Sequence, residues 1–280
     1  MRIGKELLLT SMPHIIDGKA LAKIKLQDIK NYIQQNNLKL TLAVVLIGSD
    51  QASAIYVRNK LRKAEEVGIS TKLIYKETES QKELKHLISE LNTDKTITGF
   101  FIQAPLPKPL NFTDLASLIK PDKDIDGLTP TNLGRLANNI INTPVSATPL
   151  AVLTALKSIP NFDFRGKHVV IIGRSNILGK PLALLLTNND ATVTLCHSKT
   201  INLQQLTLTA DIIVSATGVK NLVTADMVKT GAVLIDCGSP NQEITDEAYK
   251  KSSYFTPVPG GIGPLTIACL LENLVGLIKQ

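Results

Sequence analysis

Residues 167–198 read KHVVIIGRSNILGKPLALLLTNNDATVTLCHS, and this stretch decides the fold. A β-branched run over 168–172 stops at Gly173, an apolar helical pattern fills 178–188, and a second β-branched run covers 191–196. Strand, helix and strand in that order make a β-α-β unit, with the helix carrying the chain back so that the strands lie parallel. Between the first strand and the helix stands Gly173-Arg174-Ser175-Asn176-Ile177-Leu178-Gly179. The spacing is not the usual G-x-G-x-x-G. Gly173 and Gly179 nonetheless permit a tight turn and close helix-strand packing, and the helix N-terminus offers N–H groups to a pyrophosphate. The unit reads as a site for a nicotinamide dinucleotide.

The second strand of the unit bears on which dinucleotide. NAD sites commonly place an acid near its end for the ribose hydroxyls. Here the strand runs out in Cys196-His197-Ser198-Lys199, with no carboxylate to repel a 2′-phosphate. Arg174 can pair with that phosphate through its planar fork and Ser198 can donate to it, which favours NADP over NAD. The competing reading of Arg174 is a solvated loop side chain.

Working outward, β-branched runs at 211–215 and 232–237 extend the unit into a Rossmann-like sheet. Upstream the same alternation appears: a helix over 17–36, a strand over 40–47, a helix over 52–67 closed by Gly68, a strand over 71–76, a helix capped by Ser80 and running to 91, and a strand over 97–103. The fold class is therefore α/β, with an N-terminal catalytic α/β domain over 1–145, a Rossmann-like domain over 146–280, and a cleft between them. Three prolines make 104–109 a rigid loop, and 120–143 reads as irregular. Thr148-Pro149 reads as a capping residue followed by proline at the first helical position. The apolar helix at about 265–280 is expected to pack back on the first domain, and residues ahead of Met12 read as a short extension.

The chain has 280 residues, 44% hydrophobic and 20% charged, enough for two ordinary domains. No stretch approaches the roughly 18 uninterrupted apolar residues of a membrane helix. Cys196, Cys237 and Cys269 stand far apart in apolar segments, which suits core residues in a reducing, cytoplasmic compartment. The net charge of +7 is spread along amphipathic helices, and Trp is absent. Nucleic acid is thus a weaker expectation than an anionic small substrate.

Four further features carry candidate chemistry. In the 52–67 helix, Ala54, Val57, Leu61 and Ala64 form an expected core stripe, and Ser53, Tyr56 and Lys60 a polar stripe beside it. A Lys beside an aromatic ring can move a proton if burial lowers its pKa, although the pair also fits an ordinary surface. Gln103 ends a strand, where open α/β sheets place ligand-contacting residues. The run from Asp122 to Gly127 imitates a calcium loop but has Leu133 where a bidentate Glu is needed, so no metal is expected. Asp126 can instead accept paired hydrogen bonds from an amino-heterocycle, or simply make a turn. Residues 256–264 hold three prolines and three glycines, letting a flat ligand approach bare backbone.

These pieces occur in the order of one family. The chain resembles the bifunctional methylenetetrahydrofolate dehydrogenase/methenyltetrahydrofolate cyclohydrolases over nearly all of 15–279. The motifs are Ala52-Ser53-Ala54-Ile55-Tyr56-Val57-Arg58-Asn59-Lys60, Lys123-Asp124-Ile125-Asp126-Gly127, Gly173-Arg174-Ser175 with Gly179-Lys180-Pro181-Leu182-Ala183, 191–198, and Pro257-Val258-Pro259-Gly260-Gly261-Ile262-Gly263-Pro264. The resemblance implies NADP-dependent oxidation of 5,10-methylenetetrahydrofolate and hydrolysis of the methenyl product to 10-formyltetrahydrofolate, a donor for purine biosynthesis. By position it implies Lys60 as general acid/base, Gln103 as its helper, Tyr56 stacked on the folate and Asp126 as pterin anchor. Pro259, Gly260 and Gly261 would contact substrate, and Gly173, Arg174, Ser175, Gly179, Ser198, Thr217 and Gly218 the cofactor. It also implies a homodimer.

The resemblance departs at Ala104, Thr129, Ser146-Ala147 and Cys237-Gly238-Ser239-Pro240, and the segment after Pro240 is shorter than the family's. These positions gather beside the expected nicotinamide subsite and the domain junction. Two other readings follow from the residues: a cyclohydrolase with weak dehydrogenase activity, and a nucleotide-sensing or nucleic-acid-binding protein without turnover.

Overall fold

The computed structural model describes residues 12–278. The extension expected ahead of Met12 lies outside the described residues.

Two parallel sheets organise the described chain. The smaller has the order β3-β2-β4, with β2 (Thr41–Ile47) between β3 (Ser70–Lys76) and β4 (Gly99–Ile102). Strand β2 is apolar almost throughout because both of its faces are covered. Leu42, Val44 and Leu46 join Val57 and Ala64 on one side, while Ala43, Val45 and Ile47 join Leu84, Ile88 and Leu91 on the other. The covering helices are α1 (Gly18–Gln35), α2 (Gln51–Glu66) and α3 (Gln81–Thr93). Helix α3 starts on the expected cap: the Ser80 hydroxyl accepts from Glu83 N–H at 3.2 Å, and the Glu83 carboxylate accepts from Ser80 N–H.

The larger sheet contains β1 (His14–Ile15), β5 (His168–Ile172), β6 (Thr192–Cys196), β7 (Ile212–Ser215), β8 (Val233–Asp236) and β9 (Tyr254–Phe255), in the order β1-β9-β8-β7-β5-β6. All pairings are parallel. From β5 the chain steps to β6 on one side and then returns to β7 on the other, so the sheet's switch point lies between β5 and β7. Helices α6 (Ala147–Lys157), α7 (Gly179–Thr187), α8 (Leu203–Leu208) and α9 (Asp246–Lys251) accompany this sheet. Two short helices, α4 (Phe112–Ala116) and α5 (Pro130–Ala137), occupy the connection between the sheets.

The expected halves are stitched together twice. Strand β1, from the start of the chain, pairs with β9. Helix α10 (Ile262–Gly276) packs against α1, α2 and α6. Asn273 on α10 donates to the carbonyls of Ile125 and Val145, both at 2.7 Å. One hydrophobic cluster therefore runs from β2 through α10 to β5 and β7.

Two local expectations change. Thr148 does not cap α6; the helix begins earlier, with Ser146 at the cap position, and the Ser146 hydroxyl donates to Ile177 O at 2.6 Å. The cap-then-proline arrangement is instead found at Thr129-Pro130, where the Thr129 hydroxyl accepts from Asn132 N–H at 3.2 Å and α5 begins inside the region expected to be irregular.

Candidate active site

Helix α2 opens at Asp50, whose carboxylate accepts the N–H of Ser53 at 2.7 Å. That start sets the helical phase, and the phase buries Ser53, Val57, Lys60 and Ala64. Ala54 and Leu61, expected in the core stripe, are only half-buried. The polar stripe thus lies deeper than expected, because β4 presents Phe101 and Gln103 to accept it.

Lys60 is 7% exposed. Its Nζ donates to Gln103 Oε1 at 3.1 Å and stands 4.2 Å from the Phe101 ring centroid and 4.8 Å from that of Tyr56. Two ring faces favour a cation there, yet burial dominates and pulls the Lys60 pKa down, with the Asp126 carboxylate opposing. Gln103 continues β4, its N–H bonded to Val45 O at 2.9 Å. Its amide nitrogen donates to Ala104 O, which turns the amide oxygen toward Lys60.

Asp126 follows an isolated parallel bridge between Phe100 and Asp124. Asp124 is absorbed into the turn, accepting from Leu128 N, Thr129 N and Asn132 Nδ2. Gly127 has a φ of +61°, and a Cβ there would lie 2.4 Å from Pro144 O. The turn so fixed leaves Asp126 half-buried and close enough to Lys60 and Tyr56 to perturb both. Burial pushes the Asp126 carboxyl up to about 6, with Lys60 pulling it down and Asp124 adding to the rise. Tyr56 is pushed up to about 12, by burial first and Asp126 second. Lys60, Tyr56 and Asp126 thus form one group of mutually perturbing side chains, with the Gln103 amide bonded to Lys60.

Above Tyr56 opens a cavity of about 1070 Å³. Pro259, Gly260 and Gly261 form part of its wall, with Gly238, Ser239 and Pro240 beside them. The glycine loop rests on the start of α1: Lys19 N–H donates to Gly260 O at 3.0 Å, and a Cβ on Gly18 would fall 1.8 Å from Gly261 O. Lys19, Lys23 and Lys30 of α1 and Arg62 and Lys63 of α2 also line the cavity, with Glu66 the one acid among its lining residues. Sequence reading missed this basic wall, although the spacing of Lys19, Lys23 and Lys30 puts them on one face of a helix.

The expected cofactor residues form a separate group at the ends of β5, β6 and β7. A Cβ on Gly173 would lie 2.2 Å from Ala216 O, and one on Gly179 1.9 Å from Gly173 O. Glycine at both positions therefore draws the loop, the start of α7 and the end of β7 together at the switch point. No side chain caps α7, and Arg174, Ser175 and Ser198 are exposed at the crevice mouth. Bare backbone at Gly173 and Gly179 and a cation without a neighbouring carboxylate on β6 fit the phosphates of NADP, although the first turn of α7 is partly occupied: Leu178 N–H donates to Ser175 Oγ at 3.2 Å, Lys180 N–H to Ser175 O at 3.1 Å, and Pro181 has no N–H. Thr217 and Gly218 bring a hydrogen-bond partner of their own to this group. Both N–H groups and the Thr217 hydroxyl already donate to the Glu243 carboxylate, so they shape the crevice and do not offer donors to it. Nothing in the chain near Glu243 signalled this, since the donors come from another strand.

A parallel sheet with a dinucleotide crevice, joined to a second sheet that carries a buried lysine beside Tyr56 at the wall of a basic cavity, defines a nicotinamide-dependent enzyme acting on an anionic small molecule. Two family models match the chain: the catalytic domain of tetrahydrofolate dehydrogenase/cyclohydrolase over residues 16–126, and the NAD(P)-binding domain of the same enzyme over 146–280. The bifunctional protein FolD of Rickettsia rickettsii is 46% identical over 96% of this chain and 98% of its own length. The bifunctional enzyme from Campylobacter jejuni superposes with a TM-score of 0.91 at 40% identity, covering 95% of this chain and 98% of that one. The Trypanosoma brucei dehydrogenase-cyclohydrolase, solved with NADP and an inhibitor, gives 0.90 at 32% identity over 96% and 98%. The chain belongs to the tetrahydrofolate dehydrogenase/cyclohydrolase family.

Proposed function

We propose that one cleft, centred on Lys60, serves both reactions of the family in this chain. The chain oxidises 5,10-methylenetetrahydrofolate with NADP and hydrolyses the 5,10-methenyl product to 10-formyltetrahydrofolate. Bound NADP supplies the hydride acceptor, and the chain supplies placement. In our reading Arg174 and Ser198 hold the 2′-phosphate, while Gly173, Ser175 and Gly179 let the pyrophosphate approach backbone N–H groups at the start of α7. Thr217 and Gly218 form the crevice wall.

On the folate side Asp126 accepts hydrogen bonds from the pterin, Tyr56 stacks on it, and Pro259, Gly260 and Gly261 admit its flat face. The basic wall from Lys19 to Lys63 suits the carboxylates of the folate tail. In hydrolysis, neutral Lys60 takes a proton from water as its oxygen bonds the methenyl carbon. The bond from that carbon to N5 then breaks as the hydroxyl formed loses its own proton to solvent and becomes the formyl carbonyl on N10, and the Lys60 ammonium returns the first proton to N5. Gln103 holds the amine in line throughout.

The observation that carries this reading is the buried Lys60 amine, 3.1 Å from Gln103 and pulled below its ordinary pKa. Purified protein should reduce NADP when given methylenetetrahydrofolate and should remove methenyltetrahydrofolate faster than it decays unaided. Neither activity appearing would overturn the assignment.

The same reading covers organisation. The matched spans support a division at 1–145 and 146–280, and three free cysteines suit a reducing, cytoplasmic setting. No described helix is long and apolar enough to cross a membrane. A homodimer rests on the family resemblance, and sedimentation equilibrium tests it.

A further inference from the structure

Glu243 is a charged side chain that the proposed chemistry does not use, and it is 2% exposed. It lies between β8 and α9, in the segment that is shorter than the family pattern. Its Oε1 accepts from Gly218 N at 2.7 Å, and its Oε2 accepts from Ser215 Oγ at 2.6 Å, Thr217 Oγ1 at 2.8 Å and Thr217 N at 2.8 Å. A buried carboxylate with that many donors is held in one place. What it holds is residues 215–218, the end of β7 at the switch point, where Ala216 presses on Gly173 of the phosphate loop.

The backbone around Glu243 is anchored in turn. Asp236 Oδ2 accepts from Glu243 N at 2.8 Å, Ile244 N at 2.9 Å and the Tyr249 hydroxyl at 2.9 Å, and Asp236 Oδ1 accepts from Gly238 N at 2.8 Å. Gly238, Ser239 and Pro240 are the residues that reach the folate cavity. Two carboxylates in series thus connect the wall of the cofactor crevice to the wall of the substrate cavity. Lys60 and Gln103 stand outside this chain of hydrogen bonds.

We propose that Glu243 is a positioning residue for the dehydrogenase half-reaction alone: it fixes the 215–218 wall against which the nicotinamide end of the dinucleotide is seated, opposite the folate. The proposal rests on the assignment made under Proposed function. It gives the shortened segment a task, because an internal carboxylate takes the N–H groups that would otherwise face the crevice.

The test uses Glu243→Ala and Glu243→Gln in the full chain, with three readouts: NADPH affinity by fluorescence titration, dehydrogenase kcat and KM, and hydrolysis of methenyltetrahydrofolate without nucleotide. Alanine should weaken NADPH binding and dehydrogenase kcat/KM by about tenfold or more, as expected when several charge-assisted hydrogen bonds are lost. Glutamine keeps the volume and part of the acceptor set, so it should fall between alanine and the parent. Hydrolysis should stay within about twofold in both, since no proton-moving group is touched. Unchanged NADPH affinity, or hydrolysis falling in parallel with oxidation, would overturn the proposal. If the alanine variant does not fold, the glutamine variant decides by the same split. Should the parent protein turn over neither folate, the functional assignment fails, and the NADPH titration still decides whether Glu243 shapes the crevice.

Discussion

Lys60 and Gln103 meet at 3.1 Å, the one carried by α2 and the other standing just past the end of β4. The contact gives a pH dependence whose sign is fixed. Burial lowers the Lys60 pKa from 10.5, so the neutral amine that accepts a proton from water is present at a lower pH than a free lysine would provide it. The rising limb of the hydrolysis rate should fall below that of free lysine, and a limb at the free value would contradict the burial. For stability, the folded chain binds fewer protons than the unfolded one between the lowered pKa and 10.5. Stability should therefore rise with pH across that window, and Lys60→Met should flatten the rise.

Asp126→Asn should separate stability from function. The folded-state pKa of Asp126, about 6, lies above the ordinary 3.8, so the folded chain holds the proton more tightly than the unfolded chain does. The cost of the buried carboxylate is then fully present above the folded value and vanishes below the unfolded one. The variant should melt higher than the parent at neutral pH, lose that gain in acid, and bind folate more weakly. A gain that persisted unchanged in acid would show that burial of the charge is not its origin.

Arg174→Ala should act on cofactor choice. The side chain is exposed at the mouth of the crevice, and a charged hydrogen bond to a phosphate is worth about 1.5–3 kcal/mol. The KM for NADP should rise by about tenfold or more with hydrolysis unaffected, and any activity with NAD should be unchanged. Equal losses with both dinucleotides would place Arg174 away from the 2′-phosphate.

Asn273→Ala should loosen the join between the sheets. Its amide satisfies the carbonyls of Ile125 and Val145, and stranding buried carbonyls costs about 1–3 kcal/mol each. Urea unfolding should report a loss of about that size, with Asp126 displaced enough to raise the folate KM. A fully stable variant would mean that the two carbonyls find other partners.

The parts of this molecule legible from the chain are those whose signal is local. Strands β2 and β5 are covered on both faces and so appear as unbroken apolar runs, and the glycines of the phosphate loop announce a close approach. The pairs Thr129-Pro130 and Thr148-Pro149 show the limit: Thr129 caps a helix and Thr148 sits inside one, because Ser146 and Ala147 had already begun the turn. Strands β1 and β9 have two residues each, too few for any periodicity. Lys60 reads as the edge of an amphipathic helix until Phe101 and Gln103 arrive from β4 to bury it. Glu243 stands in a polar stretch without a local signal of burial, since its donors lie at the end of the neighbouring strand β7. What local sequence withholds in each case is a partner brought by the tertiary fold.

The most direct test of the account is Lys60→Met, with both reactions assayed on one preparation. Methionine keeps the packing against Tyr56 and Phe101 while removing the amine. Hydrolysis of methenyltetrahydrofolate should fall to its uncatalysed rate, a loss of about a hundredfold or more for a positioned acid/base, while NADPH still binds as in the parent. Hydrolysis at the parental rate would remove Lys60 from the mechanism and with it the claim that the buried amine is the centre of the site.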